Sequence, residues 1–312
     1  MATIAVAGGT GGLGKAIVRA LVADGKKVVV LSRKASDNEQ GAPVVQVDYA
    51  DTASLEETLK SHQVGTVVST LAVITTNEAE LNLITAAEAS PVTKRFIPSS
   101  WGIAYTEKHG KAFPPAGLKL EVLSKLKKSS LEWTRINNGY FLDYWGFPKV
   151  PSFLPPMTAV VDLSSNTAGI PGEGNTPVAF THTSDIAQYA SKALDLPQWK
   201  PESYVVGDKV TWNEFVQLAE KAKGVKFNVT HDSLETLRKG QITELPAQVP
   251  AYPFFPKEQL QGLFAIFGLW FDDGSFDLPT QPEEGSVDLN TKFPDIKPLT
   301  VKGLFQQLYS SS

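Results

Sequence analysis

Two periodicities share the first 137 residues. Short runs rich in β-branched residues have strand length: TIAVA at 3–7, KKVVVLS at 26–32, PVVQVD at 43–48, GTVVSTLAV at 65–73 and KRFIPS at 94–99. Between them lie longer stretches, at 12–25, near 52–60 and near 77–89, whose apolar positions return every third or fourth residue. That spacing marks a helix with one buried stripe, whereas a continuous run such as VVVL fits a strand covered on both faces. Parallel strands need crossover connections, so the rhythm predicts an α/β fold built on a doubly wound parallel sheet.

Past LEWTRIN at 131–137 the pattern breaks. Prolines and aromatics crowd 140–156, and a turn-rich loop runs from Gly169 to Pro177. The expected division is 1–150 for the doubly wound domain and 151–312 for a smaller α+β substrate region, with roughly 178–210 returning to the first sheet. Helices are expected over Ser184–Leu194 and Trp212–Lys223. The second opens on a capping box, in which Thr211 and Glu214 satisfy each other's free amides.

Composition narrows the partners. The chain has 312 residues, 42% of them hydrophobic, enough for a large core. A net charge of −4 leaves no broad cationic surface for nucleic acid or anionic lipid, so neither is an expected partner. The opening MATIAVAGG reads as a strand and not as a secretion signal, and LFAIFGLWF at 263–271 is too short to span a bilayer. Cysteine is absent, which removes disulfides and thiol chemistry and fits the reducing cytoplasm. The four histidines lack ligand spacing, so no metal site is expected.

Directly after the first strand comes GGTGGLG, Gly8–Gly14, and then a helix. Gly9, Gly11 and Gly14 satisfy G-x-G-x-x-G in its strand–turn–helix setting, where a side chain would keep the backbone away from a pyrophosphate resting on the helix amino terminus. The fold is therefore expected to be an NAD(P)-binding Rossmann domain, with Gly8, Gly9, Thr10, Gly11, Gly12, Leu13 and Gly14 at the cofactor. At the end of the second strand stands LSRK, with no acidic residue. Arg33 and Lys34 put positive charge where a 2′-phosphate would sit, which favours NADP(H) over NAD(H). Asp48, Thr70, Leu71 and Ser99 follow later strands and join the expected cofactor set; each also suits an ordinary turn or cap.

The usual dehydrogenase pair, Tyr with Lys four residues later, is missing at all eight tyrosines, and no G-x-S-x-G elbow is present. GLKLEVLSKLKK at 117–128 offers a substitute. Val122, Leu123 and Leu126 lie three, four and seven positions after Lys119, which places this lysine on the buried stripe, whereas Lys128 falls opposite. Such a lysine snorkels outward, pairs with a carboxylate, or sits in a cleft and handles protons.

The chain resembles the isoflavone reductase-like and NmrA-like atypical short-chain dehydrogenases, above all their fungal members. The resemblance covers most of the chain and rests on IAVAGGTGGLG, LSRK, TKRFIPSSWG at 93–102, KLEVLSKLKKSSLEWTRINNGYFLDY at 119–144, FTHTSDIA at 180–187 and the late FPDIKPLTV. Plant members begin a helix with K-x-x-[VI] and follow it at fixed distance with a Y-T strand; Lys119, Val122 and Trp133-Thr134 take those places without gaps. The resemblance implies that Lys119 works beside the nicotinamide, touching cofactor and substrate as hydride moves. One departure bears on substrate: the family's P-S-E-F-G is Pro98–Gly102 here, with Ser100 and Trp101 in place of the carboxylate and the smaller ring.

The expected function is NADPH-dependent reduction of a small aromatic or polyketide-like metabolite by hydride transfer to a carbonyl or enone. Lys119 would be catalytic, assisted by Tyr105 or Tyr140. Trp101, Tyr105, Asn138, Tyr140, Phe141, Tyr144 and Phe153 would line the substrate site, since rings with a few polar groups suit a planar apolar molecule. The aromatic set Phe254, Phe255, Phe264, Phe267 and Trp270 reads as small-domain core, and His182 as a hydrogen-bonding residue ahead of a helix. The other open readings are a non-catalytic NADP-binding regulator and a cofactor-retaining cyclase or isomerase; the chain would act as monomer or homodimer.

Overall fold

The computed structural model describes residues 2–280 and 284–309. Its first 137 residues run β1 (Thr3–Ala7), α1 (Gly12–Ala23), β2 (Val28–Ser32), β3 (Asn38–Glu39), β4 (Ala42–Gln46), α2 (Thr52–Ser61), β5 (Val64–Ser69), α3 (Glu78–Ala89), β6 (Arg95–Ile97), α4 (Glu107–Ala112), α5 (Pro114–Lys128), β7 (Glu132–Trp133) and β8 (Arg135–Asn137). The elements after these are β9 (Tyr140–Phe141), β10 (Val161–Asp162), β11 (Thr167–Pro171), β12 (Pro177–Thr181), α6 (Thr183–Ala193), β13 (Glu202–Tyr204), β14 (Asp208–Thr211), α7 (Trp212–Lys223), β15 (Asn228–Asp232), α8 (Leu234–Arg238), α9 (Lys257–Asp272), β16 (Ser286–Asp288), α10 (Leu289–Lys292) and α11 (Val301–Tyr309).

The main sheet has seven strands in the order β3-β4-β2-β1-β5-β6-β7. From β1 the chain first builds outward through β2 and β4, then returns and builds the other way through β5 and β6, all in parallel pairings. The order therefore reverses between β1 and β5, and a crevice opens beyond the strands' carboxyl ends at that switch point. The short strand pair β7 and β8, broken at Thr134, pairs first with β6 and then with β13, so a further set β8-β13-β16 continues the same edge.

Val29 and Leu31 of β2 face a buried cluster with Leu55 of α2, Leu83 and Ile84 of α3, and Val122 and Leu126 of α5. Side chains alternate along a strand, so Val30 points to the opposite face, where it meets Val18 of α1 beside Gly9. Helix α6 packs on α1 at that face, fastened where the Ser191 hydroxyl donates to Asp24 at 2.6 Å. Each such fully buried aliphatic side chain stabilises the fold by about 1.5–3 kcal/mol relative to exposure. Both faces are thus covered, as the continuous apolar runs require.

By contacts the chain forms two units: 1–137, 183–205 and 280–296 make the first, and 138–182, 206–279 and 297–312 the second. The chain leaves the first unit after Asn137, earlier than residue 150. Asn137 and Asn138 are both fully buried, so no exposed linker marks the crossing in composition. Among its described residues, the third segment of the first unit, at 280–296, carries only the short strand β16 and the single turn α10, too little periodicity to read from sequence.

The second unit has its own aromatic core. Around Tyr140 stand Trp145, Phe180, Trp212, Phe271 and Phe276, with ring centroids 5.2–6.5 Å away. Phe264 and Trp270 of α9 are buried, while Phe254 is 90% exposed. The α7 capping box is formed as expected: the Thr211 hydroxyl accepts from the Glu214 amide at 3.1 Å, and the Glu214 carboxylate accepts from the Thr211 amide at 2.8 Å.

Candidate active site

The crevice begins at the glycine turn. Gly8 has φ +75, a left-handed conformation open to glycine, and a Cβ there would lie 2.8 Å from the Thr70 carbonyl oxygen. Gly11 donates to the Gly8 carbonyl at 2.9 Å, closing the turn. Gly9 and Gly14 face inward: a Cβ on Gly9 would meet Val30 and Val18, and one on Gly14 would lie 2.3 Å from the Gly8 oxygen. Leu13 is likewise buried. The outward surface is thus formed by Gly8, Thr10 and Gly11, while Gly9, Leu13 and Gly14 bring helix and strand together behind it.

Helix α1 has no side-chain cap and no acidic residue in its first turn. Its amino-terminal amides and the positive end of its dipole therefore stand free for an anion. In front lies a cleft of about 540 Å³, walled by the glycine turn, by Ser32, Arg33 and Lys34 after β2, by Tyr49, and by Thr70 and Leu71 after β5. Arg33 and Lys34 are exposed, and neither side chain forms an ion pair among the described residues. A cradle that side chains would fill, free amides, and two uncommitted cations fit a dinucleotide bearing an extra phosphate.

Two expected cofactor residues have other tasks. Asp48 is exposed and accepts from the Ala50 amide at 2.9 Å, a turn bond; Tyr49 beside it lines the cleft instead. The Ser99 hydroxyl is turned back to the Leu71 carbonyl at 2.7 Å, which ties two strand-end loops together.

Lys119 lies in the second turn of α5, half-buried, with Val122, Leu123 and Leu126 buried on its stripe. Its ammonium donates to the Trp101 carbonyl at 3.4 Å and stands 4.7 Å from the centre of the Tyr105 ring. A cation over a π face is drawn to the ring by its quadrupole, which holds it in place. The structure thus brings Lys119, Trp101 and Tyr105 together.

Tyr140 belongs to the second unit. That phenol is 4% exposed inside the aromatic core, where burial pushes its pKa well above the ordinary value, so it is corrected from catalytic and substrate residue to core residue. Trp101 and Asn138, expected only as substrate-lining residues, are buried as well. The Trp101 indole is buried and donates to the Ser69 carbonyl at 3.0 Å; Asn138 is fully buried, with its own carbonyl accepting from Thr181 at 2.7 Å. Phe141, Tyr144 and Phe153 are half-buried in the second unit, and Tyr144 lines a cavity of about 340 Å³ there. His182 is buried, 3.4 Å from the Asp143 carboxylate, ahead of α6.

Glu80, in the first turn of α3, escaped the sequence reading. It is 1% exposed and accepts from the Ser99 amide at 2.6 Å. Burial pushes its carboxyl up to about 7, against the pull of the Ser99 amide, the Ser69 hydroxyl and the Lys119 ammonium. Because the folded value lies above the ordinary 4.5, the fold favours the neutral acid; that contribution is full below pH 4.5 and is lost as pH rises through 7. Glu80→Gln, which fixes the neutral form, is therefore expected to match the native protein in urea unfolding near pH 5. At pH 8 it should be about 1–3 kcal/mol more stable.

The NmrA-like family model matches residues 1–289. The chain belongs to the NmrA-like family. Oxidoreductase BOA1 of Botryotinia fuckeliana is 38% identical over 304 residues, covering 96% of each chain. Pinoresinol reductase 2 of Arabidopsis thaliana is 29% identical over 255 residues, covering 74% of this chain and 77% of its own. A structure of leucoanthocyanidin reductase from Vitis vinifera in binary complex with NADPH superposes with a TM-score of 0.75 at 19% identity, over 99% of this chain and all of that one, and shares the fold. The family and the oxidoreductase class expected from the motifs hold, and this NmrA-like chain is an oxidoreductase of the isoflavone reductase-like type. Among the described residues no helix is long and apolar enough to cross a membrane.

Proposed function

We propose that this NmrA-like oxidoreductase uses NADPH to reduce a carbonyl or enone of a small aromatic or polyketide-like molecule. The observation that carries the reading is Lys119, an ammonium fixed between a carbonyl oxygen and a tyrosine ring in a fold whose glycine cradle suits a dinucleotide. The cofactor, when bound, supplies the hydride. The residues do the rest. Free amides at the start of α1 bind the pyrophosphate, and Arg33 with Lys34 binds the 2′-phosphate. Lys119 gives a proton to the substrate oxygen as the hydride arrives at carbon, so that the alkoxide or enolate charge never builds up. The Tyr105 ring holds the lysine in orientation, and its half-buried face offers an apolar wall to an aromatic substrate.

The test is a panel of aromatic ketones, quinones and enones incubated with NADPH carrying deuterium on one face of C4. Deuterium in the reduced product supports the reading. Product without label points to a cyclase or isomerase, and binding of NADPH with no product across the panel points to a regulator. Cofactor choice has a separate check. Arg33→Ala removes a charge-assisted contact, and its NADPH affinity by calorimetry is expected to fall by about ten- to a hundredfold while NADH affinity barely moves. Equal native affinity for the two cofactors would contradict the assignment.

A further inference from the structure

We propose that Glu80 is a positioning residue for Lys119, holding from the first turn of α3 the loop whose Trp101 carbonyl receives the lysine. This rests on the reading of Lys119 as the proton-delivering group. The links are short. The Glu80 carboxylate accepts from the Ser99 amide at 2.6 Å; two residues on, the Trp101 indole is anchored to the Ser69 carbonyl at 3.0 Å, and the Trp101 carbonyl accepts from Lys119 at 3.4 Å. Between them the Ser100 amide donates to the Pro98 carbonyl at 2.8 Å, a tight turn that passes displacement along instead of absorbing it.

The same end of α3 also grips the other partner. Asn77, its N-cap, donates to the Leu118 carbonyl at 3.0 Å and to the Glu121 carboxylate at 2.8 Å, so α5 is held on both sides of Lys119. One helical turn thereby fixes the lysine's backbone through Asn77 and the lysine's acceptor through Glu80. Surface charge has no reason to be spent this way: Glu80 sits on the stripe of Leu83, Ile84 and Ala87, all buried, where a leucine would pack at no electrostatic cost.

The groups facing Glu80 are the Ser69 hydroxyl from β5, the Ser99 amide from the loop after β6, Lys119 from α5, and Tyr49, which in turn feels Arg33. Burial puts the Glu80 carboxyl at about 7, so its charge changes in the working range, and Lys119 is the cation that senses it.

The experiment labels the full-length protein by reductive methylation with [13C]formaldehyde and follows the Lys119 dimethyl signal, assigned by its absence in Lys119→Arg. In the native chain the signal is expected to be displaced by the Tyr105 ring and to shift with an inflection near pH 7. Glu80→Gln keeps an acceptor for the Ser99 amide but no charge, so the displacement should stay and the inflection vanish. Glu80→Leu removes the acceptor, and the signal should move into the envelope of the exposed Lys127 and Lys128. A Glu80→Gln chain that titrates as the native one does, or a Glu80→Leu chain that leaves the signal in place, overturns the proposal; should Glu80→Leu not fold, the Glu80→Gln comparison decides. These signals need no substrate. Full turnover by a lysine variant would therefore remove the catalytic reading of Lys119 while leaving the positioning result to stand on its own.

Discussion

Lys119→Met is expected to lower kcat for carbonyl or enone reduction by about 10²–10³, the usual scale for loss of a general acid. Methionine keeps the length and apolar stem of the side chain, so the stripe formed by Val122, Leu123 and Leu126 stays packed and the loss falls on the ammonium alone. NADPH affinity should change by less than about tenfold, because the glycine cradle and Arg33 lie at other strand ends and contribute separately. Steady-state kinetics with the best substrate of the panel, paired with NADPH titration, separate the two effects. A fall in affinity with kcat preserved would make Lys119 a cofactor-holding residue, and unchanged values of both would remove it from the site. Tyr105→Phe gives an internal comparison: it leaves the ring under the ammonium in place, so it should cost far less than the lysine unless the hydroxyl itself handles a proton.

How much of this was legible depends on whether the information is local. The sheet could be read because its main strands and helices are continuous periodic segments, as α3 over Glu78–Ala89 shows; in the second unit α7 likewise spans Trp212–Lys223 as its capping box implied. The glycine cradle could be read because strand, turn and helix are adjacent in sequence. What the sequence did not reveal is assembled by long-range contacts. The return of 280–296 to the first unit depends on β16 pairing with β13, more than eighty residues away. Tyr140 and Asn138 follow a strand end, a place where substrate is expected in this sheet type, but the rings that seal Tyr140 come from β12, α7 and α9.

Glu80 is the instructive omission, since the angular argument that singled out Lys119 applies to it unchanged. Leu83, Ile84 and Ala87 lie three, four and seven positions after it, and all are buried. A carboxylate in the first turn of a helix is also favoured by the dipole, and that ordinary explanation hides the more specific one. A charged residue on a buried stripe therefore merits the same question whichever sign it carries, and here the two answers meet at one loop.

Gly14→Ala is expected to be strongly damaging, although helix propensity alone forecasts the reverse. Replacing a helical glycine by alanine stabilises an open helix by about 0.8–1 kcal/mol. At Gly14, however, the added Cβ would lie 2.3 Å from the Gly8 carbonyl oxygen, 2.6 Å from the Thr70 hydroxyl and 2.8 Å from the Gly9 Cα. Two of these three are backbone atoms of the turn itself, so relief requires moving α1 off β1 or distorting the left-handed turn at Gly8. Overpacking of this kind costs about 1–3 kcal/mol, and the distortion falls on the anion cradle. Urea unfolding should show that loss, and NADPH affinity should fall by about a hundredfold or more, since the free amides of α1 no longer converge. Gly262→Ala in α9 supplies the control: nothing lies within 4 Å of its added Cβ, so propensity should govern and stability should rise. If both substitutions stabilise the protein, close approach is not what position 14 is for, and the glycine pattern loses its physical reason.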